Sequence, residues 1–425
     1  MRASYYRIAL ATILVLELHG MSPTARGEGF RNPPPGAAGL ALGGARVAAA
    51  EGAEATLFNP AAICGARDSE LGLFLTIARL ETDFIGFDGR RGSSEADWQL
   101  LPNFGFVLPL ARRGTAVGFS LSTPFGQSSK WDPNGPFRYQ APHSARLEFS
   151  TAAISIASPI AENFFVGLSA GVSGSRLKFT QALPWALMTG LPAPDGEAII
   201  EADGVGLGAA VGLTWNAAPG HRAGAAYRSP IRVKYEGDLE LTRFPGNPAL
   251  PPPLSSITAF DDDLSTTLTF PDIAAAGYAW TPIEGLTLEA DVEWIQWSRY
   301  GDPEIRSPTV GSVLPPRPPN EWKNTWNAAV GVSWDVHPAW TLRAGYTQIR
   351  SPIPDRSFSP YLPDSDRTVY SIGAGYRRGA HHLQIAVAFG PHEDRLVTPD
   401  EAPPLAGRYE FSSQIVSLSY NVRFR

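Results

Sequence analysis

The feature that most constrains this chain is a two-residue alternation that recurs along most of its length. In "GLTLEADVEW", Leu286, Leu288, Ala290, Val292 and Trp294 share one side, while Thr287, Glu289, Asp291 and Glu293 share the other. "VGLGAAVGLTW" sets Val205, Leu207, Ala209, Val211, Leu213 and Trp215 against Gly206, Gly208, Ala210, Gly212 and Thr214. The same scheme governs "FFVGLSAGVS", "WNAAVGVSW", "WTLRAGY", "YSIGAGY" and "LQIAVAF". A period of two places the sets on opposite faces of a β-strand. A soluble sandwich alternates too, but these segments run about ten residues or more, the length that crosses a bilayer when tilted. Aromatic residues close the apolar faces (Trp326 and Trp334, Trp340 and Tyr346, Tyr370 and Tyr376), as interfacial girdles require. The opposite face is small and polar, which suits a lumen. The pattern predicts an all-β fold, a transmembrane antiparallel β-barrel.

About fourteen such segments are legible, near 68–84, 97–110, 114–124, 146–158, 163–180, 201–216, 221–241, 264–281, 285–300, 322–336, 339–351, 367–378, 381–393 and 409–424. An even count brings both ends of a bacterial barrel to the same side. "ARRG", "PIAEN", "TPIEG", "DVHPA" and "RRGA" read as periplasmic turns. The Pro-, Gly- and Ser-rich stretches around 125–145, 241–263, 301–321 and 352–366 read as outer loops. In "SLSTPFGQ", Pro124 either ends its strand or interrupts a ladder that proline cannot complete. The closing segment "IVSLSYNVRFR" ends on Arg425 after Phe424, where bacterial barrels usually finish on an aromatic residue.

Two N-terminal pieces stand outside the series. Residues 1–27 read as a secretory signal: Arg2 and Arg7 precede the apolar "IALATILVLEL", interrupted late by Glu17. "ARG", Ala25 to Gly27, then offers small residues at both cleavage-determining positions, so the mature chain is expected to begin at Glu28. Residues 28–66 are rich in Gly and Ala, with "NPPPG" near the start and "FNPAAI" near the end. Proline and glycine forbid a further spanning strand there. Composition leaves a plug inside the barrel and a linker outside it equally open. The barrel itself is assigned residues 67–425.

Beyond the signal no run of 18 apolar residues exists, which excludes transmembrane helices, and with them a helical pore reading of Asn59-Pro60-Ala61. A net charge of −6 without a basic cluster gives no footprint for nucleic acid. The single Cys64 cannot close an internal disulfide. No catalytic motif is present: His143–Ser144 is the only adjacent pair of its kind, and neighbours on a strand face opposite ways. His381–His382 are too few ligands for a metal site, so neither metal nor cofactor is expected.

Several of these stretches, in this order, resemble the FadL family of Gram-negative outer-membrane transporters of long-chain fatty acids and aromatic hydrocarbons. They are Gly29–Phe30 after the signal, "FNPAAI" about thirty residues on, "AYRSPIRVKYEGDL", "LTFPDIAAAGYAW", "WIQWSRY", "SPIPDRSFSPYLPDSDR" and "YEFSSQIVSLSYNVRF". The resemblance implies a barrel of fourteen strands, with residues 28–66 folded inside as a hatch and no wide water channel. It implies passive uptake of a hydrophobic ligand, long-chain fatty acid first, from an outer groove to an inner pocket and then sideways into the membrane, with Pro124 a candidate for the gap. Phe30, Asn59, Arg176, Lys178 and Lys323 are then ligand-contact candidates, the three bases for a carboxylate, although lumenal ion pairs with Glu289 or Asp291 are an equal reading. Asn59, Pro60 and Ala61 become the corner that turns the hatch toward the wall. The expected setting is the outer membrane, as a monomer among lipid and lipopolysaccharide, inserted by the barrel-assembly machinery. Aromatic hydrocarbon uptake, a general porin and a barrel lipase remain alternatives, the last without a motif.

Overall fold

The computed structural model describes residues 28–110, 114–190, 192–243, 260–301, 306–308 and 321–424. The signal segment, Arg425, most of the "ARRG" turn and much of the loops near 241–263 and 301–321 lie outside these residues. Among those described, fourteen antiparallel spanning strands close a barrel. They are β1 (Ser69–Gly86), β2 (Gln99–Pro109), β3 (Ala116–Ser122, resuming at Gly126–Lys130), β4 (Ser144–Ala161), β5 (Phe164–Leu183) and β6 (Gly196–Ala218). There follow β7 (His221–Arg228, resuming at Ile231–Leu241), β8 (Phe260–Phe270, resuming at Ile273–Ile283), β9 (Leu286–Ile295) and β10 (Thr325–His337). The last four are β11 (Trp340–Ile349), β12 (Arg367–Arg378), β13 (His381–Pro391) and β14 (Gly407–Phe424). The ladder from Ser69↔Phe424 to Gly86↔Gly407 joins β1 to β14 and removes the sheet edge.

The alternation read from sequence is the alternation of environment. Leu168, Val205, Leu207, Ile372 and Leu383 are exposed on the outside, forming the lipid face of a spanning wall. Rings mark its rims, with Phe164 stacked on Trp215 and Trp340 against Tyr376 on the periplasmic side. Two segments read as continuous strands are broken. β7 is interrupted at Ser229–Pro230 and β8 at Pro271–Asp272. Proline brings no N–H to the ladder, and at the first break Ser229 compensates: its N–H reaches the Ala209 carbonyl (2.8 Å) and its Oγ takes the Ala209 N–H (3.0 Å).

Residues 28–66 lie within the lumen as short turns: α1 (Ala37–Ala41), α2 (Ala55–Phe58) and a 3-10 helix (Pro60–Gly65). Ala37, Ala41, Leu42, Ala45, Ala53 and Ala55 are almost wholly buried. Small side chains let this backbone touch the wall, and the wall reciprocates. A Cβ on Gly167 would lie 2.3 Å from Ala61 N, and one on Gly212 would lie 2.0 Å from Asn59 Oδ1. Buried charges pin the same segment. Arg46 pairs with Glu54 (2.9 Å) and Glu289 (3.1 Å), while its N–H and that of Val47 donate to Asp291 (2.7 and 2.8 Å). Glu289 and Asp291 are thus committed to the plug, and not to the bases proposed for them from sequence.

Candidate functional site

The third interruption, at Thr123-Pro124-Phe125, ends the pairing between β2 and β3. Below it β3 pairs with β2 from Pro109↔Ala116 up to Phe104↔Leu121. Beyond it Gly126–Lys130 pairs with β4 alone, so Gln99–Asn103 of β2 has ladder partners only on β1. The unpaired level is that of Leu75↔Pro102 and Ile77↔Leu100, whose Leu75, Ile77 and Leu100 side chains are exposed on the apolar outer face. The resulting cleft, of about 1420 Å³, is flanked by Leu100, Leu101, Pro102 and Gly126 and, farther out, by the exposed charges of Arg146, Glu148, Arg176 and Asp203, so it lies where the apolar outer face gives way to a charged one.

The start of the hatch closes the cleft from inside. Asn32 N–H donates to the Pro124 carbonyl (3.0 Å), Gly126 N–H to the Phe30 carbonyl (2.9 Å), and Asn32 Nδ2 to the Thr123 carbonyl (2.8 Å). Arg31 and Phe125 form an antiparallel bridge, so the segment repairs the broken edge as a short strand would. Phe30 is 2 % exposed, and its ring meets those of Phe125, Phe270, Trp297, Tyr300 and Trp322 with centroids 4.8–5.9 Å away. Edge-to-face rings at these spacings add to the burial of the side chain, which alone contributes roughly 1.5–3 kcal/mol. Behind the segment lies a second cavity of about 240 Å³, bordered by Leu40, Val47, Phe58, Ile231 and Ile273. Arg31, Asn32, Pro33, Thr123 and Phe125 line both spaces and form the partition between them.

A second group of interior charges lies at this partition. Arg31 pairs with Glu28 (2.8 Å) and donates in fork fashion to Glu293, with Nη2 at 2.9 Å from Oε1. Arg228, of the "AYRSP" stretch, lines the inner cavity and donates to the carbonyls of Leu57 (2.7 Å) and Phe58 (2.8 Å). It is the base in that cavity whose described bonds go to neutral acceptors. A carboxylate entering so enclosed a space would be drawn to it.

The candidates from sequence separate accordingly. Phe30 and Pro124 sit at the partition. Asn59 is fully buried but spent on structure: Nδ2 donates to the carbonyls of Val47 (2.9 Å) and Leu213 (3.0 Å), and Oδ1 accepts the Ala61 N–H (3.0 Å). With an extended backbone before Pro60, it caps the 3-10 helix and borders neither cavity. Arg176 and Lys178 point outward, exposed, in ion pairs with Asp203 (2.8 Å) and Glu201 across the β5–β6 ladder. They share the parity of Leu168 and Val172, so they face outward and not into the lumen, and Arg176 with its partner Asp203 borders the cleft. Lys323 is exposed before β10, and its N–H donates to the Pro352 carbonyl (2.9 Å). The residues missed were Arg31, Glu293, Arg228 and Asp364. Arg228 and Asp364 lie in "AYRSP" and "SPYLPDSDR", and nothing in the local pattern of either stretch shows that the fold brings its charge to the hatch.

Residues 24–424 match the family model of the outer membrane protein transport proteins, the OMPP1/FadL/TodX group. The chain belongs to this family. Among solved structures, a Pseudomonas aeruginosa FadL homologue superposes with a TM-score of 0.82 at 23 % identity, covering 94 % of this chain and 100 % of that one. The Pseudomonas putida toluene transporter TodX superposes at 0.71 with 18 % identity, over 92 % of this chain and 98 % of that one. A long-chain fatty acid transport protein of Escherichia coli O6:H1 is 24 % identical over 210 residues, 48 % of this chain and 46 % of the relative. A 47 kDa outer membrane protein of Pasteurella multocida is 27 % identical over 244 residues, 56 % of this chain and 55 % of the relative. The chain thus matches about half the length of these curated relatives. At these identities the solved FadL and TodX structures speak for the fold, and the family places this barrel in the outer membrane of a Gram-negative cell.

Proposed function

We propose that the protein carries hydrophobic small molecules passively across the outer membrane, long-chain fatty acids first, and releases them sideways into the bilayer. The observation that carries this reading is the partition: Arg31–Pro33 stands between a largely apolar inner cavity and a cleft beside the unpaired end of β2, at the outer edge of the apolar face. A water-filled porin has no use for a lateral cleft. An acyl chain does, because each CH₂ kept from water is worth ~0.8 kcal/mol and an exit through the wall never exposes it. Arg31 and Arg228 beside the inner cavity supply a place for one carboxylate, which favours fatty acids over hydrocarbons without a head group. The aromatic cage around Phe30 would suit an aromatic hydrocarbon travelling by the same path, as the name of the toluene transporter relative suggests.

The test is uptake by a deletion strain carrying the protein or its Ser128→Trp variant, which adds bulk at the exposed rim of the cleft. Oleate and toluene are supplied separately. The expected result is protein-dependent oleate uptake that falls severalfold in the variant while the folded barrel reaches the membrane in equal amount. Protein-dependent uptake of toluene alone would leave the route standing and replace the ligand class. Uptake of neither would overturn the proposal, and full uptake by Ser128→Trp would overturn the lateral exit.

A further inference from the structure

At the outer end of the hatch a main-chain nitrogen and a buried carboxylate are arranged as if for a charge. Glu28 N lies 3.0 Å from Asp364 Oδ1, and Gly29 N lies 2.9 Å from Asp364 Oδ2. Ser351 Oγ donates to the same Oδ2 at 2.5 Å. Both Glu28 and Asp364 are buried, at 6 % and 4 % exposed. The Glu28 carboxylate is itself occupied, by Arg31 (2.8 Å), Asn327 Nδ2 (3.1 Å) and, farther off, Arg367 (3.7 Å).

If Glu28 N is a peptide amide, the described contacts of the Asp364 carboxylate are all neutral donors: that N–H, the Gly29 N–H and the Ser351 hydroxyl. The nearby guanidiniums bond elsewhere: Arg31 and Arg367 pair with Glu28, and Arg395 pairs with Asp355 at 2.6 Å and donates to the Asp364 main-chain carbonyl at 2.9 Å. Burial holds the carboxyls of both Glu28 and Asp364 above the ordinary range despite these arginines.

The sequence supplies a cation at this nitrogen. Hydrolysis of the Gly27–Glu28 bond, the site marked by Ala25 and Gly27, consumes one water, leaves a carboxylate on Gly27 and frees the α-amino group of Glu28. We infer that Asp364 is the receptor for the α-ammonium of the mature chain, so that removal of the signal creates the ion pair that latches the hatch at its outer end. The latch fixes the cut to one bond. A cut one residue away moves the nitrogen by about 3.3–3.6 Å, out of hydrogen-bond reach. It also ties maturation to the seal, since Phe30 and the bridge to Phe125 lie two and three residues beyond the anchored nitrogen. The precursor, with a neutral amide at that place, lacks the counter-charge and holds the same segment less firmly.

This inference stands apart from the transport reading and is tested without a ligand. Intact mass of the protein purified from membranes should correspond to a chain beginning at Glu28. A second preparation carries Ala-Ala inserted between Gly27 and Glu28, its cleavage confirmed by mass, so that an amide replaces the ammonium. Hydrogen exchange of the Gly29–Asn32 amides should then quicken about tenfold or more, the usual consequence of stripping a buried charge of its partner. Asp364→Asn should quicken it comparably in the native chain and add little in the extended one, because both changes break the same pair. A mature mass starting at another residue overturns the inference. So does an extended chain as well protected as the native one, or an Asp364→Asn effect of equal size in both backgrounds.

Discussion

Asn59, expected both as the hatch corner and as a ligand contact, has its described bonds in the corner. Its amide joins three backbone segments, at Val47, Leu213 and Ala61, in a fully buried place. Asn59→Ala leaves two carbonyls and an N–H with fewer partners, a cost of about 1–3 kcal/mol each where no substitute is found. The expected outcome is faster proteolysis of the hatch in an otherwise folded barrel, with uptake affected only as far as the hatch loosens. Wild-type resistance would mean that the corner is held by its glycine contacts alone. The local geometry was legible here, because Pro60 pushes the residue before it to extended backbone whatever the fold. For Arg176 and Lys178 the phase of the strand is legible in the sequence itself. The even-numbered run from Phe164 through Val172 faces lipid, and 176 and 178 continue its parity. Weighing the phase above the charge would have placed both outside.

Among the elements, strands were the easiest to read, since alternation, girdle rings and turn residues each mark them independently. Their breaks were harder. Pro124, Pro230 and Pro271 all lie in or beside strand-like runs, and only pairing partners distinguish a gap in the wall from a bulge bridged by Ser229. Outer loops were the least legible, because their contacts are with residues far away in sequence. The turn after β13 is an example. His392 sits half-buried over Phe411, with Nε2 3.0 Å from Ser413 Oγ and Nδ1 3.3 Å from Ser365 Oγ. Burial, aided by Arg367, pushes its imidazole down from 6.5 to about 3. Between those values the opened loop binds a proton that the closed one refuses, so closure is favoured above 6.5 and weakens as the pH falls toward 3. Amides of Leu362–Asp366, corrected for intrinsic exchange, should therefore open more often at about pH 5 than at about pH 7. His392→Gln should flatten that dependence, and a slope that survives the substitution would assign it to another group.

At the scale of the molecule, two bodies with opposite compositions share one interior. The barrel draws its stability from a closed ladder, to which residues 28–66 add only the short bridge at Arg31 and Phe125, and from a lipid-facing apolar band. The hatch has little core of its own; its buried alanines rest on wall glycines and its charges on Glu289, Asp291 and Asp364 of the barrel and its loops. This is why composition could not choose between plug and linker. A Gly/Ala-rich segment is equally suited to flexing outside and to packing in a tight lumen, and only the wall's complementary glycines and carboxylates decide. The dependence is also one-way. Removing Phe30–Ala66 while keeping the signal and β1 should leave a barrel that still shifts its gel mobility on heating, as closed barrels do. Its lumen, lined by Glu289, Asp291, Asn327 and Arg343 without the plug, should admit water and small ions. In planar bilayers the truncated protein should conduct steadily where the intact one conducts little. A silent truncated barrel would mean that the outer loops, with Trp131, Phe137 and Phe358 buried over the mouth, close the passage without the hatch. A barrel that failed to assemble at all would show that the dependence runs both ways.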